Sequence, residues 1–321
     1  MSCRVKHIFL VLVSTTAFFA TALDADALPA PPCGTMSSAP PPTYKHAIWI
    51  WFENRSYGDI IGDPNAPYFN ALASRCGSAV NFYNETHRSW RNYMVATSGA
   101  WYTDGLTKKY SLFEQALAAG RTWKVYAQTM PSNCYPDSIY SYDREHNAPV
   151  YYSNMASACS LYDVPMGGPS KGALAVDARA NALASYVQVL PNNCNNMHHD
   201  CSGGDREAAT AAGDLWLQTW IPLLAATPDY QSGQTVIFIT FDEGRPYTSS
   251  GKDCLTVRGE DCHIPTLVVS PYGRGQRPTR FFSHYGLLHT TEELLGLPCL
   301  RLACSTDPFY GAGSMRAAFG I

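Results

Sequence analysis

The chain has 321 residues, is 46% hydrophobic and carries a formal net charge of −3 with only 15% charged residues. That is ample apolar material for a large buried core in one big domain or two small ones. The absence of any polybasic run excludes a protein built to grip a nucleic-acid backbone.

In chain order, Arg4, Lys6 and His7 give a basic start, residues 8–23 are apolar or small, and Ala20-Thr21-Ala22 and Ala25-Asp26-Ala27 are cleavage-type triplets. This pattern predicts an export signal over 1–27 and a secreted protein, extracellular or periplasmic. The apolar stretch is short for a membrane span. A Pro-rich leader, 28–43, follows, and 44–321 is expected to be a single domain. Eleven cysteines include Cys3 in the signal, so the mature chain keeps ten, an even number that reads as disulfides in an exported protein. Cys194–Cys201, Cys254–Cys262 and Cys299–Cys304 are the simplest pairings; no CxxC supports a zinc cluster.

His46–Phe52 reads as a buried first strand that ends abruptly in Glu53-Asn54. A short helix over 67–75 and a strand over 79–83 follow, the latter running into Asn84-Glu85-Thr86-His87. The pattern then predicts a helix over 111–120 and a strand over 122–127. A loop-rich insertion spans about 130–170, with a helix over 172–183, a strand over 186–190 and a helix over 205–226 beyond it. The strand over 236–241 runs into Asp242-Glu243; a short strand over 265–270 and a helix over 285–295 stopped by Gly296 and Pro298 complete the pattern. Strands alternating with helices imply an α/β fold with a largely parallel sheet, whose ligand site lies beyond the C-terminal strand ends. Phe52, Tyr83 and Phe241 each lead into a polar cluster, which together predict one shared site.

The chemistry of those clusters is consistent. Glu53-Asn54 and Asp242-Glu243 offer oxygen donors for a hard or borderline cation, though each pair is equally an ordinary cap or solvated loop taken alone. Adjacent carboxylates repel unless a cation relieves them. Thr86 is a poor nucleophile unless its hydroxyl is activated, as a bound dication would do. His87, His198, His263 and His284 are candidates for holding phosphoryl oxygens or protonating a leaving group.

Five ordered blocks carry a resemblance: HAIWIWFENRSYGDIIG (46–62), APYFNALA (66–73), ETHRSWRNYMVATSG (85–99), TFDEG (240–244) with HIPTLVVSP (263–271), and SHYGLLHTTEELLGLP (283–298), with NNCNNMHHDC (192–201) a looser sixth. The sequence resembles the bacterial phosphoesterase family of secreted acid phosphatases and phospholipase C enzymes, in the alkaline-phosphatase-like superfamily. The resemblance implies an alkaline-phosphatase-like three-layer sandwich with a mostly parallel central sheet and disulfide-stabilised loops. It implies Thr86 as nucleophile, His198 and His284 as further catalytic groups, and Glu53, Asn54, Thr86, Asp242 and Glu243 around one divalent ion (Ca, Mg, Mn or Zn). His87, Arg88, Asn92 and His263 are expected to contact substrate. Arg88 and Arg91 stand where the family usually has proline, and Asn196 where it has aspartate; the arginines either suit an anionic head group or are surface residues. The expected activity is hydrolysis of small-molecule phosphate esters through a phosphothreonine. The alternatives are phospholipase C-type cleavage, with the Tyr- and Trp-rich loops touching a membrane surface, or a degenerate exported binding protein. No Cys-x-Pro-x-Arg supports a sulfatase and no G-x-S-x-G a serine hydrolase.

Overall fold

The structure, a computed structural model, describes Met1 and residues 28–101, 105–199, 201, 203–245 and 253–321. The export signal expected over 1–27 lies, Met1 apart, outside the described residues.

The strands are β1 (His46–Phe52), β2 (Phe82–Tyr83), β3 (Trp123–Ala127), β4 (Asp163–Pro165), β5 (Tyr186–Leu190), β6 (Thr235–Phe241), β7 (Leu267–Val269) and β8 (Phe282–Ser283). The α-helices are α1 (Tyr57–Ile60), α2 (Pro67–Arg75), α3 (Ser89–Ser98), α4 (Leu112–Ala118), α5 (Ala156–Tyr162) and α6 (Ala173–Arg179). They continue with α7 (Arg206–Ala225), α8 (Pro228–Gln231), α9 (Cys254–Val257), α10 (His284–Leu295) and α11 (Arg316–Phe319).

Six strands form one sheet in the order β4-β3-β5-β1-β6-β7. Every pairing is parallel except that of β7, which runs antiparallel to β6. All seven residues of both β1 and β6 are buried. Such near-continuous apolar runs are what a parallel strand covered on both faces requires. Alternation along β1 assigns the faces. Trp49 donates its indole N–H to Thr291 of α10 at 2.8 Å, and Trp51 packs on Tyr93 of α3 with ring centroids 4.5 Å apart. Phe52 points the other way, to Trp216 of α7, and its neighbour Phe241 meets Phe69 of α2. The result is a helix–sheet–helix sandwich, the architecture expected from the sequence.

Three expectations are corrected in detail. The strand expected over 79–83 shrinks to the two residues of β2, which pair with β8 outside the main sheet. The reason is competition: Ala79 donates its N–H to Thr266 and Asn84 to Cys262, so this segment follows the chain leading into β7. The loop-rich stretch 130–170 supplies α5 and the edge strand β4 as well as loops. Helix α3, directly after Thr86, has no counterpart among the expected elements. It turns polar Asn92, Thr97 and Ser98 inward along with its apolar residues, which hides the amphipathic period. Gly99 ends it at φ 66°, where a Cβ would collide with the Leu300 carbonyl.

All ten cysteines from Cys33 onward are paired, as Cys33–Cys76, Cys134–Cys159, Cys194–Cys201, Cys254–Cys262 and Cys299–Cys304. The three short-range pairs are those expected. Cys33–Cys76 pins the Pro-rich leader to the end of α2. Among the described residues no helix is long and apolar enough to cross a membrane.

Candidate active site

The site begins with register. Phe52 of β1 lies opposite Phe241 of β6, and Asp242 donates its N–H to the Phe52 carbonyl at 3.1 Å. The next residues, Glu53 and Asp242, therefore leave the sheet side by side. Both side chains are fully buried. Asn54 takes the left-handed conformation at φ 54°, which Asn tolerates, and its N–H reaches Asp242 Oδ1 at 3.3 Å. Glu53 Oε1 accepts the Tyr93 hydroxyl; Glu53 Oε2 accepts Ser89 Oγ–H at 3.4 Å and lies 3.3 Å from His146 Nε2. Burial, and then the adjacent Asp242 charge, raise the Glu53 pKa well above the carboxylate range. Burial and Asp242 likewise push Glu243 up to about 10, with Arg88 opposing.

The Thr86 segment is packed against these carboxylates. Asn92 of α3 clamps it: Oδ1 accepts the N–H groups of Glu85 and Thr86 at 3.2 and 3.1 Å, and Nδ2 donates to the Thr86 carbonyl at 2.7 Å. Asn84 Nδ2 donates to the same carbonyl at 2.8 Å, while its Oδ1 accepts the Gly244 N–H at 3.3 Å, tying this segment to the one carrying Asp242 and Glu243. Ser89 and Tyr93 of α3 reach Glu53, and His87 Nδ1 stands 4.0 Å from Glu243. At the centre, Thr86 Oγ1, Asp242 Oδ2 and Glu243 Oε2 are buried and make no hydrogen bond among the described residues.

The remaining sequence-expected residues separate into two groups. His198 is near the carboxylates: its ring lies 6.1 Å from that of His146, which in turn touches Glu53. Burial, then the neighbouring His146 and His199, lower the His198 pKa to about 3. His87 bridges Glu243 and Asp261, the latter at 3.4 Å from Nε2. Arg88 is exposed at the mouth. The other group is built into the scaffold. Asn92, expected on the substrate, spends its amide on the Thr86 backbone. His263, also expected there, stacks between Tyr57 and Tyr83 at 4.4 and 4.9 Å, and its Nε2 bonds the Val80 carbonyl.

His284, expected as a catalytic group, is fully buried with both ring nitrogens engaged. Nδ1 meets Glu85 Oε2 at 2.6 Å and Nε2 meets the Phe241 carbonyl at 3.0 Å. Burial by itself would depress this imidazole; Glu85 and the carbonyl outweigh it and hold the pKa above the ordinary value. The pair joins the Thr86 segment to the end of β6. His284→Ala should destabilise the fold by about 3–5 kcal/mol, because Glu85 is left as a buried unpaired charge. Urea unfolding reads this directly, and an unchanged midpoint would reject the bracing role.

His146 and Tyr93, both on Glu53, were not singled out by the sequence. The Tyr in the block following Thr86, four residues beyond Ser89 on one helical face, is the signal that was available for Tyr93. Two further clusters with ligand-like spacing, His87–Cys254–Cys262 and Cys134–Cys159–Asp163, have their sulfurs in disulfides and offer no thiolate.

The model of the Phosphoesterase family matches residues 65–298. The chain belongs to the Phosphoesterase family. The match includes Thr86, Asp242, Glu243 and His284, while Glu53 and Asn54 lie just before it. A phosphatidylinositol-3-phosphatase from Mycobacterium tuberculosis is 28% identical over 87% of this chain and 85% of its own. An acid phosphatase from Aspergillus fumigatus is 25% identical over 87% of this chain and 61% of its own length. Among solved structures, an alkaline phosphatase superfamily protein from Vibrio parahaemolyticus superposes with a TM-score of 0.58 at 13% identity, covering 92% of this chain and 74% of that one. The lipoteichoic acid synthase LtaP from Listeria monocytogenes gives a TM-score of 0.56 at 12% identity, covering 85% and 75%. The fold is thus alkaline-phosphatase-like, and this Phosphoesterase-family chain is a hydrolase acting on phosphoric ester bonds.

Proposed function

We propose that the chain is an exported, divalent-metal-dependent phosphomonoesterase that works through a phosphothreonine at Thr86. The observation that carries this reading is the set of buried, unbonded oxygens on Thr86, Asp242 and Glu243 beside the like-charged Glu53. Buried polar atoms ordinarily find partners, and adjoining buried carboxylates are costly without a cation. The donor set therefore fits a dication held by Glu53, Asn54, Asp242, Glu243 and Thr86 Oγ1. All five donors are oxygens, which suits Ca²⁺, Mg²⁺ or Mn²⁺; Zn²⁺ would draw on a histidine such as His146. When bound, the ion lowers the pKa of the Thr86 hydroxyl and offsets charge on the phosphoryl oxygens.

The protein's own groups do the rest. Asn92 and Asn84 fix the Thr86 backbone so that Oγ1 is presented at one position. Thr86 Oγ1 gives up its proton and attacks phosphorus in line; the ester P–O bond breaks and the alcohol leaves, taking up a proton. Water then attacks the phosphothreonine, releasing inorganic phosphate and restoring the hydroxyl. His198 and His146, both held neutral by burial, serve as hydrogen-bonding groups for phosphoryl or leaving-group oxygens. His284 acts as a positioning residue through Glu85 and β6. Monoester specificity is supported by the names of the two relatives, both phosphatases. Export is supported by the five disulfides and by the basic-then-apolar start of the sequence.

The purified mature chain should hydrolyse p-nitrophenyl phosphate, lose about 99% of that rate after chelation and dialysis, and regain it with Mg²⁺, Mn²⁺ or Ca²⁺. Full turnover after exhaustive chelation would overturn the metal requirement, and no turnover under any ion the activity itself.

A further inference from the structure

The loop that carries His198 is gripped by α7. It leaves the end of β5 and turns at Asn192, whose carbonyl accepts the N–H groups of Asn195 and Asn196 at 2.8 and 2.9 Å. Two contacts bring it to the reaction centre. The Asn196 carbonyl accepts the Glu53 N–H at 2.9 Å, and Asn196 Oδ1 accepts the His198 N–H at 2.9 Å. Cys194–Cys201 closes the loop around both residues.

Between them stands Met197, fully buried, with φ at 70°. A methionine rarely adopts this left-handed conformation, which persists only where the surroundings enforce it. The enforcing element is a notch in α7. Gly213 lies inside this helix, where glycine is weaker than alanine. A Cβ there would lie 2.5 Å from Met197 Cγ, 2.8 Å from Met197 Cε and 3.1 Å from the Asn195 carbonyl oxygen. Only glycine leaves room for the methionine to seat. Three residues on, along the same face, the Trp216 indole donates to Gln128 Oε1 at 3.1 Å. That oxygen also accepts the Asn192 N–H at 3.2 Å and the Asn195 side-chain amide at 3.1 Å. Neighbouring turns of α7 thus fix the loop at its start and at its centre.

We propose that Met197 and Gly213 are a positioning pair for the reaction. The methionine, seated in the glycine notch, fixes the loop, and with it the Asn196 carbonyl on Glu53 and the His198 ring beside His146. Each residue is locally unfavourable by itself, and the two fit only each other. The proposal rests on the phosphoesterase reading of the Thr86 site and adds two residues outside its donor set.

The test uses Gly213→Ala, Met197→Ala and the double variant of the full mature chain, with two readouts. Amide hydrogen exchange over residues 192–199 should quicken about tenfold in each single variant, with that of β1 and β6 unchanged. For p-nitrophenyl phosphate, kcat should fall about tenfold in each, with KM held within about twofold, because the displaced groups act in the transition state. In the Met197→Ala background, Gly213→Ala should cost nothing further, because the new methyl enters the space the methionine has left. Met197→Ala only removes atoms, so it keeps the test open where Gly213→Ala does not fold. Unchanged exchange over the loop in both single variants would overturn the notch. A loosened loop with full kcat would overturn the positioning role, as would losses that multiply in the double variant. A wild type that turns over no phosphate ester would overturn the phosphoesterase reading and the positioning role with it, whereas unchanged exchange overturns the notch alone.

Discussion

Thr86→Ala is expected to lower kcat for p-nitrophenyl phosphate by about 10³-fold or more, which corresponds to about 4 kcal/mol of barrier. The fold should be unaffected. Thr86 Oγ1 makes no hydrogen bond among the described residues, so its loss strands no partner. The backbone at this position is fixed by other side chains, Asn92 and Asn84. Thr86→Ser keeps a hydroxyl on the same atom and should keep a substantial part of the rate. Phosphate trapped on the chain by acid quench during turnover should map to the peptide holding residue 86 in the wild type and be absent from the alanine variant. Wild-type turnover by Thr86→Ala would remove the nucleophile assignment.

Asp242→Asn should produce two effects of opposite sign. Activity should fall by about 10²-fold or more, because a charge of the proposed ion site is lost. In chelator, however, the variant should melt about 2–6 °C above the wild type. Asp242 and Glu53 are both buried, and each charge opposes the other. An asparagine keeps an oxygen for the Asn54 N–H and offers its own N–H₂ to Glu53. Adding the metal should raise the melting temperature of the wild type far more than that of the variant, through linkage to binding. A variant less stable than the wild type in chelator would show that the carboxylate pair is not under repulsion, and the case for a cation there would fall with it.

Much of this was legible in the sequence where the signal is local. The runs ending at Phe52 and Phe241 are apolar throughout because both faces of each strand are covered, and that made β1 and β6 plain. Their abrupt change to Glu-Asn and Asp-Glu marked the strand ends that carry the site. Helix α2 was found to the residue because Pro67 starts it. What escaped depends on partners distant in the chain. The histidine at 284 sits at a helix start, and nothing near it announces that Glu85, 199 residues away, will take its Nδ1. Asn92 was expected on the substrate, yet it is the clamp on Thr86. His146 lies in a stretch without periodicity, and only folding brings it to Glu53. Helix α3 was missed for the same reason, since polar groups serving the site replace the apolar stripe that would have revealed it.

The alignment of Phe52 with Phe241 has a consequence for biogenesis. The two halves of the proposed ligand set come from chain segments 188 residues apart, and their adjacency depends on the last rung of a parallel ladder. A slip of one residue would carry one carboxylate a strand-rise away and turn it to the opposite face. No early, locally structured form of the polypeptide can therefore assemble the reactive centre. On the proposed function, catalytic competence arrives only when this long-range pairing has closed, so a partly folded chain is inert toward the phosphate esters around it.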